Sequence, residues 1–188
     1  MAKSHILFCT TEDPTEALVL DFLAHCYEDG LTGVIFNVFT PARHEPSLLA
    51  PPSREPISVR PDPFADYTTS QMRGYATALQ SRSVFYHNIF AVLDEQGVQD
   101  RTVIIHYYHT PFIDPDYPAD DPRQENFEQD GNLNPKWLTW RIKWAEAYAM
   151  TANLDLKPAM KYEVYMNRPE RFTDEEGVYD VEAAIKGA

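Results

Sequence analysis

At 188 residues and 44% hydrophobic content, the chain holds enough apolar mass for one core of ordinary size, and a single domain over residues 1–188 is expected. Twenty-nine acidic against 16 basic residues leave a net charge of −13. That surface repels nucleic-acid phosphates, and no Lys/Arg run offsets it, so direct nucleic-acid binding is excluded as an expectation.

The longest apolar runs, "TVII" at 102–105 and "VIFNVF" at 34–39, fall far below the roughly 20 residues that span a bilayer, so no membrane role is expected. The opening "MAKSHILF" has neither the apolar segment of a secretory signal nor the Arg-rich character of a transit peptide. A cytoplasmic setting is expected, or the virion for a viral chain.

"HILFC" (5–9) reads as a buried strand and "TGVIFNVFT" (32–40) as a second. Between them Leu18, Val19, Phe22, Leu23 and Cys26 recur at helical spacing, and Gly30 follows as a terminator. Strand, helix, strand at this spacing predicts a right-handed parallel crossover. Cys9 and Cys26 have apolar neighbours and read as reduced core thiols. At the first junction, Asp13 as N-cap, Pro14 at the first helical position and Glu16 three residues on account for "FCTTEDPTEA" as a helix start. The same stretch resembles the flavodoxin phosphate loop at Thr10, Thr11 and Thr15, which implies an anion or flavin at the helix N-terminus.

Residues 41–63 hold seven of the fifteen prolines and read as an extended arm, taken here as 41–67. A helical region follows. Met72, Tyr75 and Leu79 form one stripe and Phe85, Ile89, Val92 and Leu93 another, with a break near 81–83 and Gly97 at the end. "RTVIIHYYHTP" (101–111) is the strongest strand signal. A second arm at 111–135 then carries five prolines and seven acids against one Arg. Asn134 and Pro135 open an expected helix over 136–152, in which Trp137, Trp140, Trp144 and Tyr148 share a stripe. "MKYEVYMN" (160–167) and "VYDVEAAI" (178–185) close the chain as expected strands. Together these elements predict an α/β domain, with α+β as the alternative: a mixed sheet of about five or six strands, three main helices and two long arms.

The stretch from His106 to Asp121 looks most like a site. Strand alternation puts His106 and Tyr108 on one face and Tyr107 and His109 on the other, so the histidines do not share a metal. No metal or cofactor is expected, and no G-x-S-x-G, phosphate-loop or dinucleotide motif occurs. The segment containing Glu163, Tyr165, Asn167, Pro169, Glu175 and Glu176 resembles the closing strand pair of GyrI-like effector-binding domains, with Arg168 inserted between Asn and Pro. That resemblance implies a strand carboxylate for a cationic small molecule.

Two functions follow as expectations. The first is a non-catalytic subunit of a multi-copy particle such as a virion, with copies of itself or neighbouring protein subunits as partners. Its stiff arms would supply the contacts through Leu48, Leu49, Phe64 and Tyr67 in one and Phe112, Ile113, Tyr117 and Phe127 in the other. The second is a small-molecule-binding or enzymatic domain. Its pocket would lie around Tyr107, His109, Tyr165 and Glu163, with His106, His109, Asp114 and Glu163 as the titrating candidates.

Overall fold

The first strand, β1 (Ser4–Cys9), forms because "HILFC" is short, apolar and β-prone, and in the sheet it is buried on both faces. In this computed structural model the described residues are 4–12, 14–26, 36–38, 64, 66–80, 85–109, 135–156, 161–166 and 168–187. Four further strands, β2 (Phe36–Val38), β3 (Phe85–Leu93), β4 (Thr102–His109) and β5 (Lys136–Lys143), join it in the order β2-β1-β3-β4-β5. β1 pairs parallel with β2 and β3, whereas β4 runs antiparallel to both β3 and β5. The protein is thus mixed α/β, and the all-parallel order of a flavodoxin holds only for β1–β3.

Helix α1 (Glu16–His25) lies on one face of the sheet, and Val19, Phe22 and Leu23 join a core with Leu7, Ile89, Val103, Ile105 and Ile142. Helix α2 (Thr69–Gln80) lies on the other, where Met72 and Ala76 meet Ile6, Phe8, Phe90 and Val92. Each fully buried aliphatic or aromatic side chain contributes about 1.5–3 kcal/mol, so both faces are needed to hold the sheet. The N-cap of α1 is Thr15, whose Oγ1 accepts from Leu18 N at 3.1 Å, rather than Asp13, which lies outside the described residues.

Four expected elements come out differently. β3 replaces an expected helix, which rested on Phe85, Ile89, Val92 and Leu93 recurring at helical spacing. A central strand buries both faces, with Ile89, Ala91 and Leu93 on one and Phe90 and Val92 on the other, so alternation disappears. The short helix α3 (Glu95–Asp100) then turns the chain into β4, capped by Asp94, with Gly97 inside it rather than at its end.

The expected helix over 136–152 divides. β5 takes Lys136–Lys143, a 3-10 turn follows at Trp144–Glu146, and α4 (Ala147–Leu156) begins only there. Trp137, Trp140 and Trp144 fit helical spacing, but Leu138, Trp140 and Ile142 also fit strand spacing. Eight residues of register with β4 decide between them.

Neither expected closing strand forms. Lys161–Met166 is a π-helical turn in which the adjacent Val164 and Tyr165 are both buried, a pattern that a one-faced strand cannot give. Past a 3-10 turn at Pro169–Phe172 and an isolated bridge between Thr173 and Tyr179, Asp180 caps α5 (Val181–Gly187), its Oδ1 accepting from Ala183 N at 2.7 Å. Asp180 followed by "VEAA" is an N-cap ahead of helix formers, the sequence signal for this helix. Among the described residues no helix is long and apolar enough to cross a membrane.

Candidate functional site

β4 exposes its two histidines to different surroundings, as alternation requires. His109 is buried on the α1 side, its ring 6.1 Å from that of Tyr107. His106 is buried on the α2 side and stacks on Phe90 with centroids 4.5 Å apart and planes 19° from parallel. Its partner across the β4–β5 ladder is Thr139, whose Oγ1 lies 3.0 Å from His106 Nδ1. From α2, Arg73 donates through Nη2 to the same Thr139 Oγ1 at 3.0 Å and comes within 3.5 Å of His106 Nδ1.

A guanidinium only donates, so the approach of Arg73 Nη2 to both Thr139 Oγ1 and His106 Nδ1 favours the tautomer in which Nδ1 is the unprotonated ring nitrogen and accepts. Burial, with the Arg73 charge beside it, depresses His106 to about 3, so the imidazole is neutral at ordinary pH.

Aromatic rings frame the group. The Arg73 guanidinium carbon sits 5.5 Å from the Trp137 ring, which also meets Phe90 at 5.3 Å and Tyr108 at 5.1 Å. Trp137, Tyr108 and Arg73 are half-buried and Thr139 is exposed, so the cluster reaches the surface. Arg73 has no carboxylate partner among the described residues, and its Nε is buried there without a hydrogen-bond partner. Desolvation lowers its pKa.

The other sequence candidates are distributed elsewhere. Glu163 falls in the π-helical turn rather than on a strand. Tyr165 is a core residue whose hydroxyl accepts from Asn153 Nδ2 at 3.1 Å, and burial pushes it up to about 12. Tyr107 is likewise core, so Tyr107 and Tyr165 help pack the domain. Phe64 is 1% exposed and wedged edge-on against Phe8 and Tyr67 at 5.1 and 5.0 Å. Phe64 therefore packs into the core of its own chain. Tyr67 is half-buried, with its hydroxyl 3.5 Å from that of Tyr75. Leu48, Leu49, Phe112, Ile113, Asp114, Tyr117 and Phe127 lie outside the described residues.

In the loop after β1, two of the three threonines that resembled a phosphate loop make internal hydrogen bonds, while Thr11 Oγ1 is buried without a partner among the described residues. Thr10 N donates to Leu93 O at 2.9 Å and Thr15 Oγ1 caps α1.

Arg73 and Thr139 were missed from sequence. The available signal was that "TSQMRGYATALQ" carries a lone cation with no acid on its helix, unusual in so acidic a chain. No protein-family model, curated protein or solved structure matches the chain.

Proposed function

We propose that the protein is a non-catalytic subunit that assembles with further copies of itself, and that its main contact is the outer edge of β5. The observation that supports this is a conjunction of charge and exposed backbone. β5, "KWLTWRIK", carries Lys136, Arg141 and Lys143 and no acid, in a chain of net charge −13. Among the described residues it is also the last strand of the sheet.

On its outer side, Arg141 O accepts from Tyr179 N at 2.8 Å. Alternation makes Trp137 and Thr139 the next residues whose backbone groups face outward, and among the described residues these meet no strand. An edge of this kind is a template for pairing. Arg141 is paired with Asp94, but Lys136 and Lys143 disfavour pairing with a second β5 and suit the acidic remainder of a neighbouring copy, so the contact is heterologous. Contacts of that kind propagate into rings or filaments, consistent with a multi-copy particle.

Light scattering over a concentration series tests this. At low salt the mass should be a multiple of the single chain, and it should fall as salt screens the contact. The double substitution Lys136→Glu, Lys143→Glu should give single chains. A single-chain mass at every concentration and salt would overturn the reading.

A further inference from the structure

The geometry points to a binding site for a small aromatic carboxylate on the α2 side of β4–β5, with Arg73 holding the carboxylate and Trp137 and Tyr108 the ring. This site uses the side chains of Trp137 and Thr139, whose backbone groups lie on the assembly edge, but neither reading requires the other.

A guanidinium rests favourably over an aromatic face, but each of its donors taken from water still needs an acceptor. Arg73 is placed in this way. One terminal nitrogen is fixed by Thr139, the guanidinium lies by Trp137, and the Nε donor is left without an acceptor among the described residues. The fork is thereby held in one orientation before any ligand arrives, which reduces the ordering cost of binding.

The neighbours define the charge of the ligand. His106 is buried and neutral, so Arg73 alone of this group carries charge and the site offers one positive charge. A single guanidinium with a hydroxyl beside it matches a carboxylate monoanion, whose two oxygens meet the planar donor fork. A phosphate dianion would retain uncompensated charge in a chain that is already acidic.

The half-buried faces of Trp137 and Tyr108, 5.1 Å apart and tilted by 47°, offer the adjoining surface, and a flat ring covers more of it than an alkyl chain.

Benzoate is the probe, titrated calorimetrically into the full chain at neutral pH, with acetate, benzamide and inorganic phosphate as comparisons. Benzoate should bind once per chain with Kd of about a millimolar, as suits so small a ligand. Acetate and benzamide should each bind at least about tenfold more weakly, since each loses one of the two contacts.

Arg73→Gln should abolish benzoate binding, and Arg73→Lys should restore part of it. Trp137→Leu should weaken benzoate while leaving acetate unchanged. Each variant is accepted only if its far-ultraviolet circular dichroism and unfolding midpoint match the parent chain. If Arg73→Gln does not fold, the comparison of benzoate with benzamide on the parent chain decides the matter.

The inference is overturned if benzoate does not saturate, if benzamide binds as well as benzoate, or if phosphate binds more tightly. None of these results alters the mass measured by light scattering, so this site and the assembly reading can fail separately.

Discussion

Arg141 grips Asp94 with both ends of its fork, Nη1 to Oδ1 at 3.0 Å and Nη2 to Oδ2 at 2.6 Å, across 47 residues of sequence. The same Asp94 Oδ1 accepts from Gly97 N at 2.7 Å and so caps α3, while Arg141 Nη1 also reaches Thr102 Oγ1 at 3.1 Å. One carboxylate therefore ties the end of β3, the start of α3 and the outer strand together. Asp94→Ala removes the cap and leaves Arg141 half-buried without a counter-charge, and should cost about 2–4 kcal/mol in urea unfolding at pH 7. Burial alone would raise the Asp94 pKa, but the Arg141 and Gly97 hydrogen bonds outweigh it and the net shift is downward. Its contribution is therefore complete above the ordinary carboxylate value and is lost as the pH falls through the lower folded one. A loss below about 0.5 kcal/mol would mean that the pair is ornamental.

Two buried histidines set a different pH window. His5 and His106 are both depressed from 6.5 to about 3, His5 by burial and His106 by burial with Arg73 beside it. The unfolded chain takes up a proton on each below pH 6.5 and the folded chain does not until about pH 3, so stability drains away across that interval as the pH falls. Between pH 7 and pH 5 the two together should remove about 4 kcal/mol. His106→Asn should roughly halve the slope. A stability flat from pH 7 to pH 5 would show that neither histidine is held neutral.

Gly97 is needed for space rather than for backbone freedom. A Cβ built on it would stand 2.4 Å from Thr102 O and 2.9 Å from Asp94 Oδ1. Both atoms are fixed, because Thr102 O also accepts from Trp144 Nε1 at 2.7 Å and Asp94 is held by Arg141. Gly97→Ala, normally favourable in a helix by about 1 kcal/mol, should instead destabilise by about 2–3 kcal/mol. Thermal unfolding measures the sign directly, and a stabilised variant would show that α3 can shift away from β4.

How far this organisation could be read from the chain depended on how many alternatives each pattern allowed. β1, α1 and β4 were legible because their periodicity and flanking residues admit one element. His106 and His109 were correctly assigned to opposite faces of β4 from alternation alone. β3 and β5 were not legible: a central strand loses its alternation once both faces are covered, and the segment whose tryptophans fit helical spacing also fits a strand through Leu138, Trp140 and Ile142. The site was harder still. His106 was singled out, but Arg73 lies 33 residues before it and Thr139 33 residues after. Only the pairing of β4 with β5 and the seating of α2 bring the three together.

Glu146 provides a test in which removing a charge should help. Its Oε1 accepts from Glu182 N at 3.1 Å near the start of α5, while its Oε2 is buried without a hydrogen-bond partner among the described residues. Burial raises its pKa and nearby Asp180 adds to the rise, against the opposing Glu182 backbone hydrogen bond and the Lys143 charge. The fold therefore prefers the protonated carboxyl, and what that preference contributes is present at low pH and lost as the pH rises through the folded value. Glu146→Gln keeps an oxygen for Glu182 N, removes the charge and gives Asp180 an N–H to accept. The variant should equal the parent near pH 4 and exceed it at pH 7 by less than about 1 kcal/mol, since a half-exposed carboxylate is partly screened. Parallel urea titrations at the two pH values measure that difference. A variant weaker than the parent at pH 7 would mean that the Lys143 attraction outweighs burial and that the ionised form belongs to the native state.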